Sequence, residues 1–414
     1  MREGKRHPAI VSRPCMRILQ IFNRYVHMGG EEKSVDRIYR HLSDRHEMGR
    51  CFFESKDWLD EGAPGRFGQL RRTFYNHESR TRFEKAVEKF QPDAALFHNV
   101  YPVGSPSLYH AAHILGLPVI QYMHNFRPFS ISGTLYANGV FPEGALRGDY
   151  SREVRAGAWQ GSRLKSAIMA MVLRRLHRSG WLQSVKAWVC ISEFLRDKLV
   201  HGAGLPADRV FALRHSWDAM PDPVQTDDKG YYLFLARLVD VKGVITLLRA
   251  WDILRKKLGA ATPELWIGGE GPLEDEVRLA VARHKDIHHL GLIGGAQKAE
   301  VLRHCRAMLA PSLWWEPLGL VTYEAYDYAK PMLAAASGGL TETVLHGKTG
   351  FLHEPGNAEA FAQDVLKLEA LSAEERRTMG VAGRRWLLEN TGIEKWQNQF
   401  DEVLRKVTGE RGSR

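Results

Sequence analysis

Short apolar runs alternate with longer amphipathic stretches throughout this 414-residue chain. Strands buried on both faces of a parallel sheet are short apolar runs, and the connection between two of them is usually a helix. The alternation therefore predicts the α/β class, with helices on both faces of parallel sheets. The predicted strands are Arg17–Phe22, Ala94–Phe97, Pro118–Tyr122 and Ala187–Ile191 in the first half, and Tyr231–Ala236, Glu264–Ile267, Ile287–Leu290, Ala307–Pro311 and Pro331–Ala334 in the second.

A stretch rich in Pro and Asp, Trp217–Gly230, separates the two series of strands. Its scarcity of apolar side chains is typical of a linker. The sequence therefore predicts two Rossmann-like domains, residues 16–218 and 219–394, that face each other across a cleft and bind ligands there. Residues 1–15 are predicted to be a disordered basic tail, because they lack the apolar core of a secretion signal.

The net charge of +10 is unevenly distributed. Residues 1–218 contain 33 Lys/Arg and 21 Asp/Glu, whereas the remainder contains 25 and 27. Part of the excess lies in Arg147–Lys186, which has nine basic residues against two acidic ones. Two interpretations stay open: a solvated face, or attraction to anionic lipid headgroups or a phosphate-bearing substrate. Nucleic acid is not expected as a partner, because no known binding module accompanies the charge.

The four cysteines are widely separated and include no CxxC pair or zinc-ligand spacing. This usage fits a reduced, cytoplasmic protein. The longest apolar run, Ala167–Leu173, is too short to span a bilayer. The cysteines are Cys15, Cys51, Cys190 and Cys305.

Charged and glycine residues follow several predicted strands of the second half. Arg237 would lie at a strand end and Lys242 at the next helix start. Together they could clamp a diphosphate, or they could be incidental charges of a surface loop. Gly269 and Ile293 lie in the glycine-rich turns after the next two strands, where the backbone could approach a ligand's phosphate, ring or nucleobase edge.

The stretch WWEPLGLVTYEAYDYAKP holds two carboxylates, Glu316 and Glu324, on either side of a predicted helix start. Pro317 is placed in the first turn of that helix, and Glu324 about two turns in. Carboxylates accept hydrogen bonds from paired hydroxyls, and a helix N-terminus binds phosphate. The arrangement therefore suits a sugar nucleotide, which has hydroxyls on both sides of its diphosphate. The N–H groups expected to face the phosphate are those of Leu318, Gly319 and Leu320.

The first half offers weaker signals. Gly29 and Gly30 follow the first predicted strand and open a helix, so they indicate either close approach to a ligand or a tight turn. The pattern is not GxGxxG, so the dinucleotide fingerprint is absent. His124 follows the strand Pro118–Tyr122 and would face the same cleft, where a structural and a functional role are both open.

The second half resembles glycosyltransferase family 4, a family of retaining enzymes with the GT-B fold. The resemblance covers about 130 residues and rests on five stretches in the family's order. The MGGEEKSV and YMHNFRPF stretches of the first half match more loosely, and the second is similar to the branch that builds bacterial surface polysaccharides. The five stretches are ARLVDVKG, IGGEGPLEDE, LGLIGG, PSLWWEPLGLVTYEAYDYAKP and SGGLTETVLHGKTGFLHEPGN.

The resemblance implies transfer of a sugar from a UDP- or GDP-sugar to an acceptor hydroxyl, with retention of anomeric configuration. Its implied acceptor is a saccharide or lipid-linked saccharide, reached in the cytoplasm or at the inner face of the plasma membrane. The final helix, residues 395–414, is expected to return to the first domain. The implied roles are ribose binding for Glu324, contact with the transferred sugar for Glu316, diphosphate binding for Arg237 and Lys242, a phosphate- and acceptor-facing loop for Gly30, and a place near the donor sugar for His124.

Three positions depart from the family pattern. Leu318 replaces an aromatic residue, Ala329 replaces a glycine, and His215–Asp218 replaces the usual Asn-Gly-Val-Asp. No DxD-type pair stands at a suitable place, so neither a metal nor a cofactor is expected. The alternatives are a sugar-nucleotide epimerase or hydrolase on the same fold and a non-catalytic sugar-nucleotide binder. A phosphorylase is disfavoured because no cofactor lysine is found, and a nicotinamide dehydrogenase because GxGxxG is missing.

Overall fold

The computed structural model describes residues 15–26, 29–221 and 228–409. These residues contain two six-stranded sheets, and the strand pairs whose register is defined are all parallel. The predicted α/β class is therefore confirmed. Apart from Cys15, the predicted tail lies outside the described residues.

The first sheet has the strand order β2-β1-β3-β4-β5-β6. Its central strands consist almost entirely of buried residues, as the apolar runs predict. The strands are β1 (Arg17–Arg24), β2 (Glu47–Glu54), β3 (Ala94–Phe97), β4 (Val119–Met123), β5 (Val185–Cys190) and β6 (Val210–Ala212). The α-helices of this half are α1 (Gly30–Ser43), α2 (Arg66–Phe74), α3 (His77–Phe90), α4 (Ser107–Ile114), α5 (Ser151–Arg155), α6 (Arg163–Arg178) and α7 (Glu193–Asp197).

The second sheet has the order β12-β11-β10-β7-β8-β9. Its apolar core includes the fully buried Trp251 and Phe361, whose rings meet edge to face. The strands are β7 (Tyr231–Leu235), β8 (Glu264–Gly268), β9 (Ile287–Gly291), β10 (Ala307–Ala310), β11 (Met332–Ala335) and β12 (Gly350–His353). The helices are α8 (Val244–Leu258), α9 (Glu274–Arg283), α10 (Gly295–His304), α11 (Leu320–Asp327), α12 (Leu340–Thr343), α13 (Ala358–Ala370), α14 (Ala373–Thr391) and α15 (Ile393–Thr408).

The chain divides into two compact units. The first takes its residues from Met1–Gln121, Ser179–Ala187 and Gln399–Arg414, and the second from Tyr122–Arg178 and Trp188–Asn398. The boundary predicted after residue 218 lies between β6 and β7. No helix of the described residues is both long and apolar enough to cross a membrane.

The end of α15 is joined to the first unit by an ion-pair cluster. The Asp401 carboxylate accepts hydrogen bonds from Arg45 at 2.9 Å and pairs with the His46 ring at 3.0 Å. Burial opposes ionisation here, but the bonds from His46 and Arg45 outweigh it and lower the pKa of Asp401. The charged form of Asp401 is therefore part of what fixes this helix end.

Asp401→Asn is expected to destabilise the folded chain by about 2 kcal/mol at pH 7, because it removes the carboxylate that accepts hydrogen bonds from the partly buried Arg45 and pairs with the buried His46 ring. The pKa of Asp401 in the folded chain lies below the ordinary value of 3.8. The ion pairs therefore stabilise the folded chain fully at a pH above 3.8, and this stabilisation is lost as the pH falls through the lowered pKa. Thermal unfolding at pH 7, 5 and about 3 measures this, and the gap between the two proteins should narrow only at the lowest pH.

Glu402→Gln is the matched control, because it removes the same charge at the next, exposed position. It should leave the unfolding temperature almost unchanged. Equal destabilisation by both variants would show that net charge, and not the ion-pair cluster, is responsible.

Candidate active site

Parallel strands end at the same edge of a sheet, and in the second sheet the loops at the carboxyl edge are bonded to one another. The Leu238 N–H, after β7, donates to the Glu270 carbonyl, after β8, at 2.9 Å. The Leu313 N–H, after β10, donates to the Val241 carbonyl at 2.9 Å. These bonds fix the loops relative to each other, so side chains on different loops are held at defined distances.

The Glu316 carboxylate receives three donors on one oxygen. The Lys242 ammonium lies 2.7 Å from Oε2, and the two form an ion pair. The Trp314 indole N–H at 2.9 Å and the Ser312 hydroxyl at 3.1 Å donate to the same oxygen. Within the described ranges no residue donates to Oε1. The carboxylate is thereby held in one orientation, with one oxygen left to accept a hydrogen bond from a ligand.

The backbone of Glu316 is fixed by the two glycines that follow β11. The Gly339 N–H donates to the Glu316 carbonyl at 2.7 Å. Gly338 has a φ of +57°, and a side chain there would place its Cβ 2.3 Å from the same carbonyl oxygen. Only glycine permits this close approach, so the SGG stretch, residues 337–339, fixes the position of the Glu316 backbone.

Glu324 is paired with a residue that the sequence did not single out. The Lys298 ammonium, on α10, lies 2.6 Å from Glu324 Oε1, and each side chain is 26% exposed. Because the two residues belong to different helices, neither their spacing nor their composition predicts the contact. The pair leaves Glu324 accessible at the same edge of the sheet and holds its carboxylate in a defined direction.

The helix that carries Glu324 begins later than predicted. It starts at Leu320, so Pro317 lies in the preceding loop and not in the first turn, and Glu324 is about one turn in and not two. Gly319 is the N-cap with a φ of +83°, and a Cβ there would lie 2.5 Å from Leu340. Among the described residues no acceptor pairs with the N–H groups at this start, so they can bind an anion. Those groups belong to Leu318, Gly319 and Leu320.

Arg237 is exposed, and in the part of the chain that the structure describes its guanidinium makes no ion pair or hydrogen bond. The structure therefore brings Lys242 to Glu316 without bringing Arg237 into the same cluster.

Gly269 has a φ of +138°, and its Cβ would lie 1.9 Å from the Ala236 carbonyl oxygen. This glycine is needed for the close approach of two loops. Ile293 side-chain atoms lie 3.4 Å from the Cβ position of Gly268, so Ile293 covers the end of β8.

His124 follows β4 in the second unit and belongs to an aromatic stack. Its ring centroid lies 5.1 Å from that of Tyr122 and 5.3 Å from that of His215. Burial lowers the pKa of His124 to about 3. The imidazole is therefore neutral near pH 7, and it can exchange hydrogen bonds but carries no positive charge. His215, which stood out only as a departure from the family pattern, is its stacking partner.

The adjacent residues Trp314 and Trp315 contact different partners. While Trp314 bonds Glu316, the Trp315 ring stacks on Phe141 with centroids 4.1 Å apart and planes at 10°. The Lys198 ammonium lies 3.8 Å from the centroid of the Trp315 ring. The loop of Glu316 is thus packed against the connection that follows β4, a contact that the sequence analysis missed.

Gly29 and Gly30 lie in the first unit. Gly30 begins α1, and Gly29 is the N-cap in an extended conformation. A Cβ at Gly29 would meet no atom within 4 Å, so packing does not require glycine there. Beside them the Glu31 carboxylate accepts a hydrogen bond of 2.8 Å from the Tyr25 hydroxyl. The approach of a ligand to the backbone at Gly29 and Gly30 therefore stays a prediction.

The described residues include no group of three or more His, Cys, Asp and Glu side chains that could hold a metal ion. The side chains that converge at the second sheet are instead two lysines, each bonded to one of the two glutamates. Lysine ammonium groups and helix N–H groups are suited to phosphate. The free oxygens of the two carboxylates are suited to hydroxyls.

Two family models match the chain. A model described as "Glycosyltransferase Family 4" matches residues 28–215, and one described as "Glycosyl transferases group 1" matches residues 216–386. A GDP-mannose-dependent alpha-(1-6)-phosphatidylinositol monomannoside mannosyltransferase of Mycolicibacterium smegmatis is 32% identical over 199 residues, which are 45% of this chain and 50% of that protein. The match thus spans about half the length of this curated relative.

Solved structures support the architecture. Anabaena HepE in complex with UDP superposes with a TM-score of 0.65 at 16% identity, covering 94% of this chain and 99% of that one. Sucrose-phosphate synthase from Thermosynechococcus elongatus superposes with a TM-score of 0.67 at 16% identity, covering 95% and 99%. At such identities the likeness shows the fold alone, and that fold is GT-B, with two Rossmann-like domains.

Proposed function

Because the chain belongs to glycosyltransferase family 4, we propose that it transfers a sugar from a nucleotide-diphosphate donor to an acceptor hydroxyl and retains the anomeric configuration. The observation that carries this proposal is the pairing of Lys242 with Glu316 and of Lys298 with Glu324 on either side of a free helix start. The carboxylates of Glu316 and Glu324, which can bind hydroxyls, thereby lie on either side of the start of α11, which can bind phosphate. A sugar nucleotide has the same order: sugar hydroxyls, diphosphate, ribose hydroxyls.

The two glutamates bind opposite ends of the donor. Oε1 of Glu316 accepts hydrogen bonds from hydroxyls of the transferred sugar, because its Oε2 is already occupied by three protein donors. Glu324 accepts hydrogen bonds from the ribose hydroxyls while Lys298 fixes its direction. Gly269 and Ile293 face the nucleobase side, and His124 in its neutral form lies by the donor sugar.

The positive groups act on the leaving phosphate. When the bond between the anomeric carbon and the β-phosphate oxygen breaks, its electron pair stays on the phosphate. Lys242, held by Glu316, and the N–H groups at the start of α11 stabilise that charge in place, which is where electrostatic catalysis contributes most. Arg237, which is exposed and outside their cluster, binds the diphosphate from solvent in this scheme. These positive groups take the part that a divalent cation takes elsewhere, and we expect metal-independent transfer.

The remaining step balances without a dedicated base. The acceptor oxygen forms a bond to the anomeric carbon on the face that the phosphate leaves, and its proton passes to the departing β-phosphate oxygen. The products are the glycosylated acceptor and a nucleoside diphosphate. Gly29 and Gly30, at the start of α1, face the acceptor and phosphate side in this scheme.

The acceptor that we propose is a lipid-linked saccharide of a bacterial surface polysaccharide, met at the cytoplasmic face of the membrane. The mannosyltransferase relative supports this, because its name specifies a GDP-mannose donor and a phosphatidylinositol monomannoside acceptor. The UDP bound to HepE supports a sugar linked to a nucleoside diphosphate as the class of donor. The basic first half favours a substrate at an anionic surface.

The test is to incubate the purified chain with a panel of UDP- and GDP-sugars, with and without EDTA, and to measure nucleoside diphosphate release and the anomer of the product. We expect release that persists in EDTA, rises when a saccharide acceptor is added, and yields the donor's anomeric configuration. Release lost in EDTA would overturn metal independence. Release without any glycosylated product would indicate a hydrolase, and binding without release a non-catalytic protein.

A further inference from the structure

Trp315, which precedes Glu316 in the chain, is held between two other groups of the second unit. Its ring stacks on Phe141, with centroids 4.1 Å apart and planes at 10°. The Lys198 ammonium lies 3.8 Å from the centroid of the same indole ring. Two groups this close to one ring cannot share a face, so Phe141 and Lys198 lie on opposite faces of Trp315. Ring stacking and a cation over an indole both stabilise this arrangement.

The two sides of this sandwich are joined to each other. The Lys198 ammonium forms an ion pair of 2.9 Å with Glu143, which follows Phe141 by two residues. The Phe194 ring, about one helical turn before Lys198, meets the Trp315 ring at 71° with centroids 5.4 Å apart. Because these contacts form a closed set, a displacement of Trp315 would break several of them at once.

A second attachment starts from the same segment of the chain. The Glu342 carboxylate accepts hydrogen bonds from the Phe194 N–H at 2.6 Å and the Glu193 N–H at 3.1 Å. The Arg214 guanidinium donates to it at 2.7 Å. The Glu342 side chain is only 15% exposed, and the three donors hold its carboxylate in one orientation. Glu342 therefore fixes α12 to the start of α7.

Both attachments end on the supports of Glu316. Trp315 is its neighbour in the chain, and Glu342 belongs to the helix that follows the glycines of the SGG stretch. The Gly339 N–H donates to the Glu316 carbonyl at 2.7 Å, and the Glu342 N–H donates to the Gly339 carbonyl at 3.1 Å. The segment Glu193–Lys198 thus reaches the Glu316 backbone from two sides, whereas the carboxylate itself is bonded by other residues.

We propose that Trp315 and Glu342 are positioning residues for Glu316, which hold its carboxylate where it meets the transferred sugar. The inference rests on the proposed function, because that function assigns the sugar to Glu316. A group that binds a substrate in a productive geometry must be placed to within about 0.5 Å, so a shift of its backbone is enough to lose the contact. The ribose carboxylate of Glu324 is oriented by Lys298 instead, so binding of the nucleotide part does not depend on this positioning.

A role in stability alone can be separated from positioning, because the chain offers matched contacts elsewhere. The half-buried Trp266 ring stacks on Tyr231 with centroids 4.0 Å apart and planes at 10°. Because Tyr231 begins β7, this stack lies at the amino edge of the second sheet, opposite the loops of the candidate site. The Glu369 carboxylate accepts two hydrogen bonds of 2.7 Å from Arg306, which directly precedes β10 at the same amino edge. Trp266→Leu and Glu369→Gln are therefore the control variants.

The test is calorimetric titration of Trp315→Leu and Glu342→Gln with UDP-glucose and GDP-mannose, and with UDP and GDP alone. We expect each variant to lower the affinity for the nucleotide sugar about fivefold, the effect of one lost hydrogen bond, and to leave the affinity for the nucleoside diphosphate close to the native value. The rate of nucleoside diphosphate release should fall by roughly tenfold to a hundredfold. Trp315→Tyr, which keeps an aromatic ring between Phe141 and Lys198, should restore most of that rate. The control variants should lower only the unfolding temperature.

Double variants show whether the losses pass through Glu316. In the Glu316→Ala background, adding Trp315→Leu or Glu342→Gln should cause little further loss of nucleotide-sugar affinity, because changes that remove the same interaction do not add. Fully additive losses would overturn the proposal. Native affinity and native release rate in both single variants would also overturn it, as would losses no larger than those of the control variants.

The same titrations separate this inference from the proposed function. If the native chain binds a nucleotide sugar but transfers no sugar, the proposed function is wrong, and the affinities of the single and double variants decide the positioning role without it. If Glu316→Ala binds the nucleotide sugar as tightly as the native chain does, the positioning role is wrong and sugar transfer can still hold. No binding of either nucleotide sugar by the native chain would overturn both.

Discussion

Lys242→Met is expected to lower the turnover number for sugar transfer by roughly a hundredfold to a thousandfold, the typical effect of removing one preorganised group that stabilises charge in the transition state. In the proposed scheme the change removes a cation from the leaving phosphate. It also removes one of three donors from Oε2 of Glu316, which loosens the carboxylate that we propose binds the sugar. Steady-state kinetics and calorimetric titration with the nucleoside diphosphate should show losses in both turnover and diphosphate affinity.

Two further variants separate these causes. Lys256→Met removes the same side chain from an exposed position of α8 and should leave turnover intact. Trp314→Phe keeps an aromatic ring but removes the N–H that lies 2.9 Å from Glu316. It should lower turnover by about tenfold without changing diphosphate affinity. If Lys242→Met retains most of the native turnover, the proposed phosphate site is wrong.

Most of the sheet architecture could be predicted because buried parallel strands are apolar on both faces. Ala94–Phe97 was predicted with its observed bounds, and eight other strands were predicted to within two residues at either end. The strands that were not predicted are β2, β6 and β12. In β2 only Cys51 and Phe53 are buried, because it is an edge strand with one face open, and its pattern resembles a surface segment. The other two lack a continuous buried run, because β6 has one buried residue of three and β12 has only its first and last residues buried.

The candidate site was only half predictable, for a physical reason. Loops at the carboxyl ends of parallel strands must meet, so Glu316, Glu324 and Lys242 could be assigned to one edge from their positions after strands. The orientation of each carboxylate is set by donors on other loops and helices, such as Ser312 and Lys298. Those contacts depend on how helices pack, and no spacing in the sequence encodes them. The start of α11 was predicted too early. Pro317 suggested a first helical turn there, but Gly319 adopts a left-handed conformation and the helix begins only at Leu320.

Glu324→Gln is expected to weaken binding of the nucleotide by roughly tenfold to a hundredfold, since a charged acceptor of ribose hydroxyls is replaced by a neutral amide. The side chain keeps its size, so packing within α11 is preserved. Calorimetric titration with UDP and GDP measures the loss. Glu359→Gln, at an exposed position of α13, removes the same charge and should bind nucleotide like the native chain.

The ribose assignment can be tested by removing the hydroxyls instead of the carboxylate. Native protein should bind the 2′,3′-dideoxy nucleoside diphosphate more weakly than the normal one, and Glu324→Gln should cause no further loss with that analogue, because the two changes remove the same interaction. Lys298→Met should weaken binding of the normal nucleotide less than Glu324→Gln does, since in the proposed scheme Lys298 orients the Glu324 carboxylate, 2.6 Å away, without contacting ribose. Additive losses from Glu324→Gln and the dideoxy analogue would place the ribose away from Glu324.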